Sequence, residues 1–139
     1  MYMLPTNLTT NEVKDSAGTE IEFLRLSTEG RKVVFVKSGE LPNAPHRLTV
    51  SHSEVGVGSS LRRRSLIRFD KTVTGVSAVP RTVSAYAVVD APVGDLSVDT
   101  EIKAVIANLI SFIASTGADT TIKYDCTGNG ASAMVGGSL

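Results

Sequence analysis

TEIKAVIANLISFIA, residues 100–114, is the stretch on which the reading of this chain turns. Ile102, Val105, Ile106, Leu109, Ile110 and Ile113 recur at intervals of three and four, which is one face of an α-helix. Ala104, Ala107 and Phe112 widen that stripe. Asp99 is placed to cap the helix N-terminus, Glu101 suits the dipole in its first turn, and Gly117 stands where a left-handed residue closes a helix. No other segment reads convincingly as helix. Nearly everything before residue 100 reads as strand. A helix is roughly 10 Å wide and strands sit about 4.8 Å apart, so one helix covers only two or three of them. The sequence offers five or six. The simplest cover for the remaining apolar face is the same helix from a second copy, so a symmetric dimer is expected.

The strands are read from alternation. Residues 8–14 form a weak candidate, Asp15-Ser16-Ala17-Gly18 is turn chemistry, and 19–27 alternates around Ile21 and Phe23, so 8–27 reads as a hairpin. Val33-Val34-Phe35-Val36 suggests a strand covered on both faces, and 39–45, with two prolines, a loop. From 46 to 55, Leu48, Val50 and His52 point one way and Arg47, Thr49, Ser51 and Ser53 the other. Gly56-Val57-Gly58-Ser59 connects to a strand over 60–73, with Ser65, Ile67 and Phe69 opposite Arg62, Arg64, Leu66, Arg68 and Asp70. Residues 74–80 form a loop of small side chains. In 81–90, Val83, Ala85, Ala87 and Val89 oppose Ser84, Tyr86, Val88 and Asp90. Three successive strands thus share one design, an apolar face and a polar or basic face. After the helix, 120–124 is β-branched and reads as extended, and 128–139, within a Gly/Ser-rich segment from about 126, reads as a loose tail.

Composition narrows the functional classes. The 139 residues are 42% hydrophobic and 20% charged with zero net charge, which suits one packed domain spanning 1–139. A nucleic-acid role must then come from a local patch. The single cysteine, Cys126, excludes an internal disulfide and a Cys-rich zinc site; a free thiol is expected, with an intersubunit bridge as the alternative. The start, MYMLPTNLTT, does not read as a signal peptide, and no apolar run is long enough to span a bilayer, so a chain made in a reducing cytosol, without a membrane partner, is expected. His46 and His52 are read as lying on opposite strand faces, sharing no ligand. Gly56 to Ser60 lacks the Gly-Lys-Ser/Thr ending of a phosphate loop. No catalytic, metal or cofactor site is expected. The polar sheet face offers more: Arg47, Arg62, Arg64 and Arg68 for phosphates, Thr49, Ser51, Ser53 and Ser84 for hydrogen bonds, and the Tyr86 ring for an unstacked base. Its plainer reading is a solvated face with ordinary charges, Asp70 and Asp90 included.

The order of elements, a hairpin, a run of antiparallel strands and one long helix, resembles the coat proteins of single-stranded RNA bacteriophages, the leviviruses. Arg47-Leu48-Thr49-Val50-Ser51 looks like the family's fourth-strand pattern. Ile67-Arg68-Phe69-Asp70 looks like its next strand, and Ala91-Pro92 with Glu101-Ile102 matches its spacing from last strand to helix. The likeness covers residues 8–115. It implies an α+β fold: a hairpin and an antiparallel sheet of about five strands, then a C-terminal helix that packs across a homodimer. It also implies an icosahedral shell, a virion protein assembled in the bacterial host's cytoplasm, and a genomic RNA hairpin on the inner sheet face, with repression of a replicase message as a further family trait. By that resemblance Thr49 and Ser51 match residues that receive an adenine, Arg68 a basic residue contacting RNA, and Asp70 its acidic neighbour. Two departures are expected: the family's stacking tyrosine falls on Ser84, with Tyr86 two residues on, and the usual second helix is replaced by 120–124 and the tail. The rival readings are a dimeric cytosolic RNA-binding protein that never assembles, and an enzyme using the polar face.

Overall fold

Six antiparallel strands follow one another in chain order, each hydrogen-bonded to the next. The computed structural model describes residues 4–95, 100–114 and 125–137. The strands are β1 (Asn7–Leu8), β2 (Phe23–Glu29), β3 (Lys32–Lys37), β4 (His46–Val55), β5 (Arg62–Thr74) and β6 (Pro80–Ala91); the helices are α1 (Thr100–Ala114) and α2 (Asn129–Gly136). Two compact units divide the chain. One comprises Met1–Val13 with Ile21–Leu96 and holds the sheet; the other comprises Lys14–Glu20 with Ser97–Leu139 and holds the helices.

From β2 onward the sheet is a meander of short connections, the longest of them residues 38–45. β4 and β5 pair from His46–Lys71 to Val55–Arg62, and β5 and β6 from Arg63–Ala91 to Thr74–Pro80, without a bulge. Such long unbroken ladders follow from strict alternation, since a one-residue slip would turn every apolar side chain to the other face. The core lies on one face under the first four strands. Leu8, Phe23, Phe35, Leu48 and Val50 are buried there, with Val13, Ile21, Val33 and Phe69 packed against them. Phe23 meets Phe69 edge-on at 5.8 Å between ring centres and His46 at 5.2 Å. Towards β5 and β6 the same face runs out into exposed apolar side chains: Ile67 is 48% and Val83 64% exposed.

The expected antiparallel sheet of about five strands is present and has six. Several finer expectations need correction. The 8–14 candidate shrinks to Asn7–Leu8, paired with Leu24 and Phe23, while Lys14 bridges Glu20. The intervening turn is held as expected, because the Asp15 carboxylate accepts the N–H groups of Ala17 at 2.9 Å and Thr19 at 3.0 Å. The 128–139 tail contains α2 instead, so the expected loss of the second helix is wrong. Small residues make that helix. Gly130 and Ala131 are buried, and a Cβ on Gly130 would stand 2.7 Å from the Phe112 ring and 2.8 Å from the Phe112 carbonyl oxygen. Gly137, with φ of 66°, ends α2, its N–H donating to the Ala133 carbonyl at 2.8 Å. Packing on α1 therefore overrides the poor helix propensity of glycine. We expect Gly130→Val to destabilise the α1–α2 pair by about 1–3 kcal/mol, the usual cost of overpacking; an unchanged melting temperature would contradict this close approach. The positions Asp99, Gly117 and 120–124 lie outside the described residues.

The histidines also depart from expectation. His46 and His52 share the apolar face, both even positions on β4. Six residues at about 3.3 Å each keep them some 20 Å apart, and that distance, not opposite facing, rules out a shared ligand. His52 is exposed, its Nδ1 2.7 Å from the Ser65 hydroxyl. Both imidazoles titrate below their ordinary value. Burial is the main cause in each, joined by Lys71 and Lys37 at His46 and by Arg31 and Arg63 at His52, against the opposing pull of Glu40 and Glu54. A base whose pKa falls on folding is protonated more readily in the unfolded chain. Its contribution is complete above the unfolded value, about 6.5, and is lost as pH falls through it. Stability should therefore drop between pH 7.5 and 5.0, a window above the carboxylate range. The drop should shrink in a His46→Gln/His52→Gln protein; a denaturation midpoint equally pH-dependent in both proteins would remove the histidines as its cause.

Candidate nucleic-acid interface

The face opposite the core is built from rows of residues directly across β4, β5 and β6. The register sets Arg47 against Asp70 and Ser84, Thr49 against Arg68 and Tyr86, Ser51 against Leu66 and Val88, and Ser53 against Arg64 and Asp90; Arg62 faces Val55. Every residue expected on the polar face is on it. Arg63 is on the other side, its Nε 3.0 Å from Glu54, which also pairs with Arg31 at 3.2 Å.

A shallow depression of about 360 Å³ lies over the centre of this face, between Ser51, Ser53, Arg64, Leu66, Arg68 and Tyr86. Its middle is apolar, from Leu66 and Val88, and its rim is hydroxyl and guanidinium. Tyr86 is 66% exposed, so its ring is open to stacking. The Arg68 guanidinium lies 5.8 Å from the centre of that ring. Arg68 is also held by Asp70, with Nε 2.9 and 3.1 Å from the two carboxylate oxygens, and reaches the Ser84 hydroxyl at 3.4 Å. Ser84 in turn donates to Asp70 at 2.5 Å. The Ser84 hydrogen bond and, after it, Arg68 hold the Asp70 carboxyl below its ordinary value against the opposing effect of burial. Ser84 thus serves as a brace for the Arg68–Asp70 pair rather than as a ring-bearing position.

Charge on this face is more balanced than its four arginines suggest. Arg47 forks onto Glu40, with Nη2 at 2.7 Å and Nε at 3.1 Å, and Glu40 also accepts the His46 backbone N–H at 2.9 Å. The Arg47 hydrogen bond is the main reason the Glu40 carboxyl titrates low. Arg62 pairs with Asp90 at 3.0 Å. Among the described residues Arg64 alone of the four has no carboxylate partner. The exposed Arg62–Asp90 and Arg68–Asp70 pairs are worth about 0.2–1 kcal/mol, so a phosphate can displace those carboxylates at small cost. Sequence reasoning placed Leu66 and Val88 on this face without assigning them to the site, and it missed Glu40. Leu66 and Val88 are the row partners of Ser51. Glu40 carried no signal, since it lies in a loop seven positions before Arg47. No group of three or more potential metal ligands occurs among the described residues.

The residues expected at a dimer contact are on α1. Ile102, Ile106 and Ile113 are half-buried, while Leu109, Ile110 and Val105 are exposed, Val105 at 65%. Phe112 is 61% exposed beside them in sequence. Cys126 is an exposed free thiol.

No protein-family model matches the sequence, and no curated protein does. Solved structures do match. The chain is similar to the coat protein of bacteriophage EMS014, with a TM-score of 0.66 over 99% of each chain at 13% identity. It is similar to the virus-like particle protein of bacteriophage AVE015, with a TM-score of 0.58 over 99% of this chain and 90% of that one, again at 13% identity. A third similarity is to the virus-like particle protein of bacteriophage AVE019, with a TM-score of 0.51, 16% identity, and coverage of 88% and 98%. The α+β architecture, a strand meander as expected but followed by two C-terminal helices rather than one, is therefore the fold of bacteriophage coat proteins.

Proposed function

We propose that this chain is the coat protein of a single-stranded RNA bacteriophage. It pairs as a homodimer, assembles into an icosahedral shell, and holds a genomic RNA hairpin on the β4–β6 polar face. Control of a replicase message by the same hairpin contact would follow from that binding. The observation that carries the reading is the end-to-end match to a phage coat protein, over 99% of both chains. Two further features support the pairing. β6 is an edge strand twelve residues long, bonded among the described residues to β5 alone, and such an edge invites another strand. A two-fold axis at β6 would join two sheets and double the polar face into one floor. The exposed apolar residues of α1 and of the β5–β6 core face supply the area that such a dimer needs to bury.

Electron microscopy of the purified protein tests the reading. Uniform closed particles that carry RNA are expected. A protein that binds RNA but stays a dimer at high concentration would instead make it a non-assembling RNA-binding protein.

The β5–β6 connection bears on assembly. It spans residues 75–79, closed by the Gly75 N–H to the Val79 carbonyl at 2.9 Å, with Ala78 at a φ of 61° and Val76 fully exposed. Copies of this hairpin tip would meet around the symmetry axes of a shell. Val76→Asp should leave the dimer intact and change particle size or lower particle stability. Loss of the dimer in that variant, with wild-type particles indifferent to cleavage of the loop, would remove the tip from assembly.

A further inference from the structure

The core face of the sheet carries one row of positive charge. His46 on β4 stands directly across from Lys71 on β5. One step beyond the Val36–Arg47 pair, the β3–β4 register brings Lys37 to its other side, and Lys37 itself is set across from Phe23. Strands are about 4.8 Å apart, so two lysines flank the histidine in a row about 10 Å wide at the backbone. Like charges facing one another across strands are destabilising. Neither lysine has an ion-pair partner among the described residues. The nearest acid, Glu40, is already engaged by the Arg47 guanidinium and the His46 backbone N–H. The rings of Phe23 and Phe69 wall the imidazole. A cavity of about 410 Å³ opens over the row, lined by Lys37, His46 and Lys71 together with Leu41, Val73 and the Glu40 that Arg47 engages.

We infer that this cavity is an anion site, and that its ligand is a small phosphate, either inorganic phosphate or a phosphomonoester. Two ammoniums and an imidazolium, carried on three neighbouring strands, supply donors for one side of a tetrahedral dianion. The side chains face away from the β4–β6 polar face, so the site is separate from the candidate RNA interface and stands whether or not the chain is a coat protein. Binding couples to a proton. The charged groups facing His46 are Lys37 from β3, Lys71 from β5 and Glu40 from the preceding loop. A bound dianion would offset the two lysines and favour the imidazolium.

The test is hydrogen–deuterium exchange at the histidine C2 position, followed by mass spectrometry across pH 5 to 8, which does not depend on particle size. The chain has only two histidines, so His52 is an internal reference. In 10 mM inorganic phosphate the His46 midpoint should rise by about one pH unit relative to chloride of equal ionic strength, which is a tenfold tighter hold on the protonated form. His52 should not move. The rise should vanish in Lys37→Met/Lys71→Met protein. Equal midpoints in phosphate and chloride would overturn the site. So would a rise that survives in the double variant, or one shared equally by His52. A short RNA that shifts His46 where free phosphate does not would overturn the small-phosphate assignment.

Discussion

Leu109→Asp is expected to abolish the soluble dimer. Leu109 belongs to an apolar set on α1 with Val105 and Ile110, all exposed in the single chain, next in sequence to the exposed Phe112. A six-stranded sheet is about 24 Å across its strands, whereas a helix is roughly 10 Å wide. The exposed Ile67 and Val83 on the core face are the remaining apolar surface that needs cover. A carboxylate placed in the seam between two copies would be desolvated without a partner, at a cost of several kcal/mol. That weakens association by a factor of a hundred or more. Ile106→Asp, at a half-buried position of the same helix, should do the same and also lower the stability of the chain. Glu101→Gln, in the first turn of α1, is the control and should associate normally. Sedimentation velocity of the variants, with circular dichroism to show that they fold, is the measurement. An unchanged dimer in Leu109→Asp, or a well-folded monomer of the unmodified protein in dilute solution, would be fatal to a helix-mediated dimer.

The parts of the structure that were legible are those where side-chain period alone decides. Residues 46–55, 62–74 and 80–91 alternate over ten residues or more, and their observed register puts every Arg, Thr, Ser and Tyr of the polar face where alternation places it. α1 runs over the expected residues because its apolar spacing holds for four turns. α2 was not legible, because NGASAMVG has little apolar period and its helix depends on how closely Gly130 can approach Phe112. β1 is two residues long, too short for any period. The interface charges were hidden for a different reason. Counting arginines suggested a basic patch, but Asp90 lies 28 positions from Arg62 and Glu40 sits in a loop, so their pairing is a property of the folded sheet. The dimer expectation came from an area argument, and exposed apolar residues on α1 and on the core face give that argument particular atoms.

Those ion pairs sharpen what RNA binding should look like in mutants of the polar face. Arg64 has no carboxylate to leave, so its guanidinium is free to meet a phosphate. Arg64→Ala should weaken many RNAs alike and reduce the salt slope by about one. Arg68 is different. Removing it also strips the partner from Asp70, leaving a carboxylate braced by Ser84 in the phosphate path. Arg68→Ala should therefore cost more than Arg64→Ala, and Arg68→Ala/Asp70→Asn should recover part of the difference. Thr49 and Ser51 present hydroxyls beside the depression that Tyr86 borders, and they should act through a base. Thr49→Ala and Ser51→Ala should reduce discrimination between a packaged hairpin and a scrambled one by about 1 to 3 kcal/mol, a scale taken from DNA readout, with little change in general affinity. Tyr86→Ala should lose about 1–3 kcal/mol of stacking for any unpaired base. Arg63, on the opposite face and paired with Glu54, is the control. Fluorescence titrations at two salt concentrations, against both hairpins, separate these outcomes. If Arg63→Ala hurts binding as much as Arg64→Ala, RNA is not reading one face of this sheet. If none of the polar-face substitutions changes affinity or discrimination, the sheet is not where RNA binds.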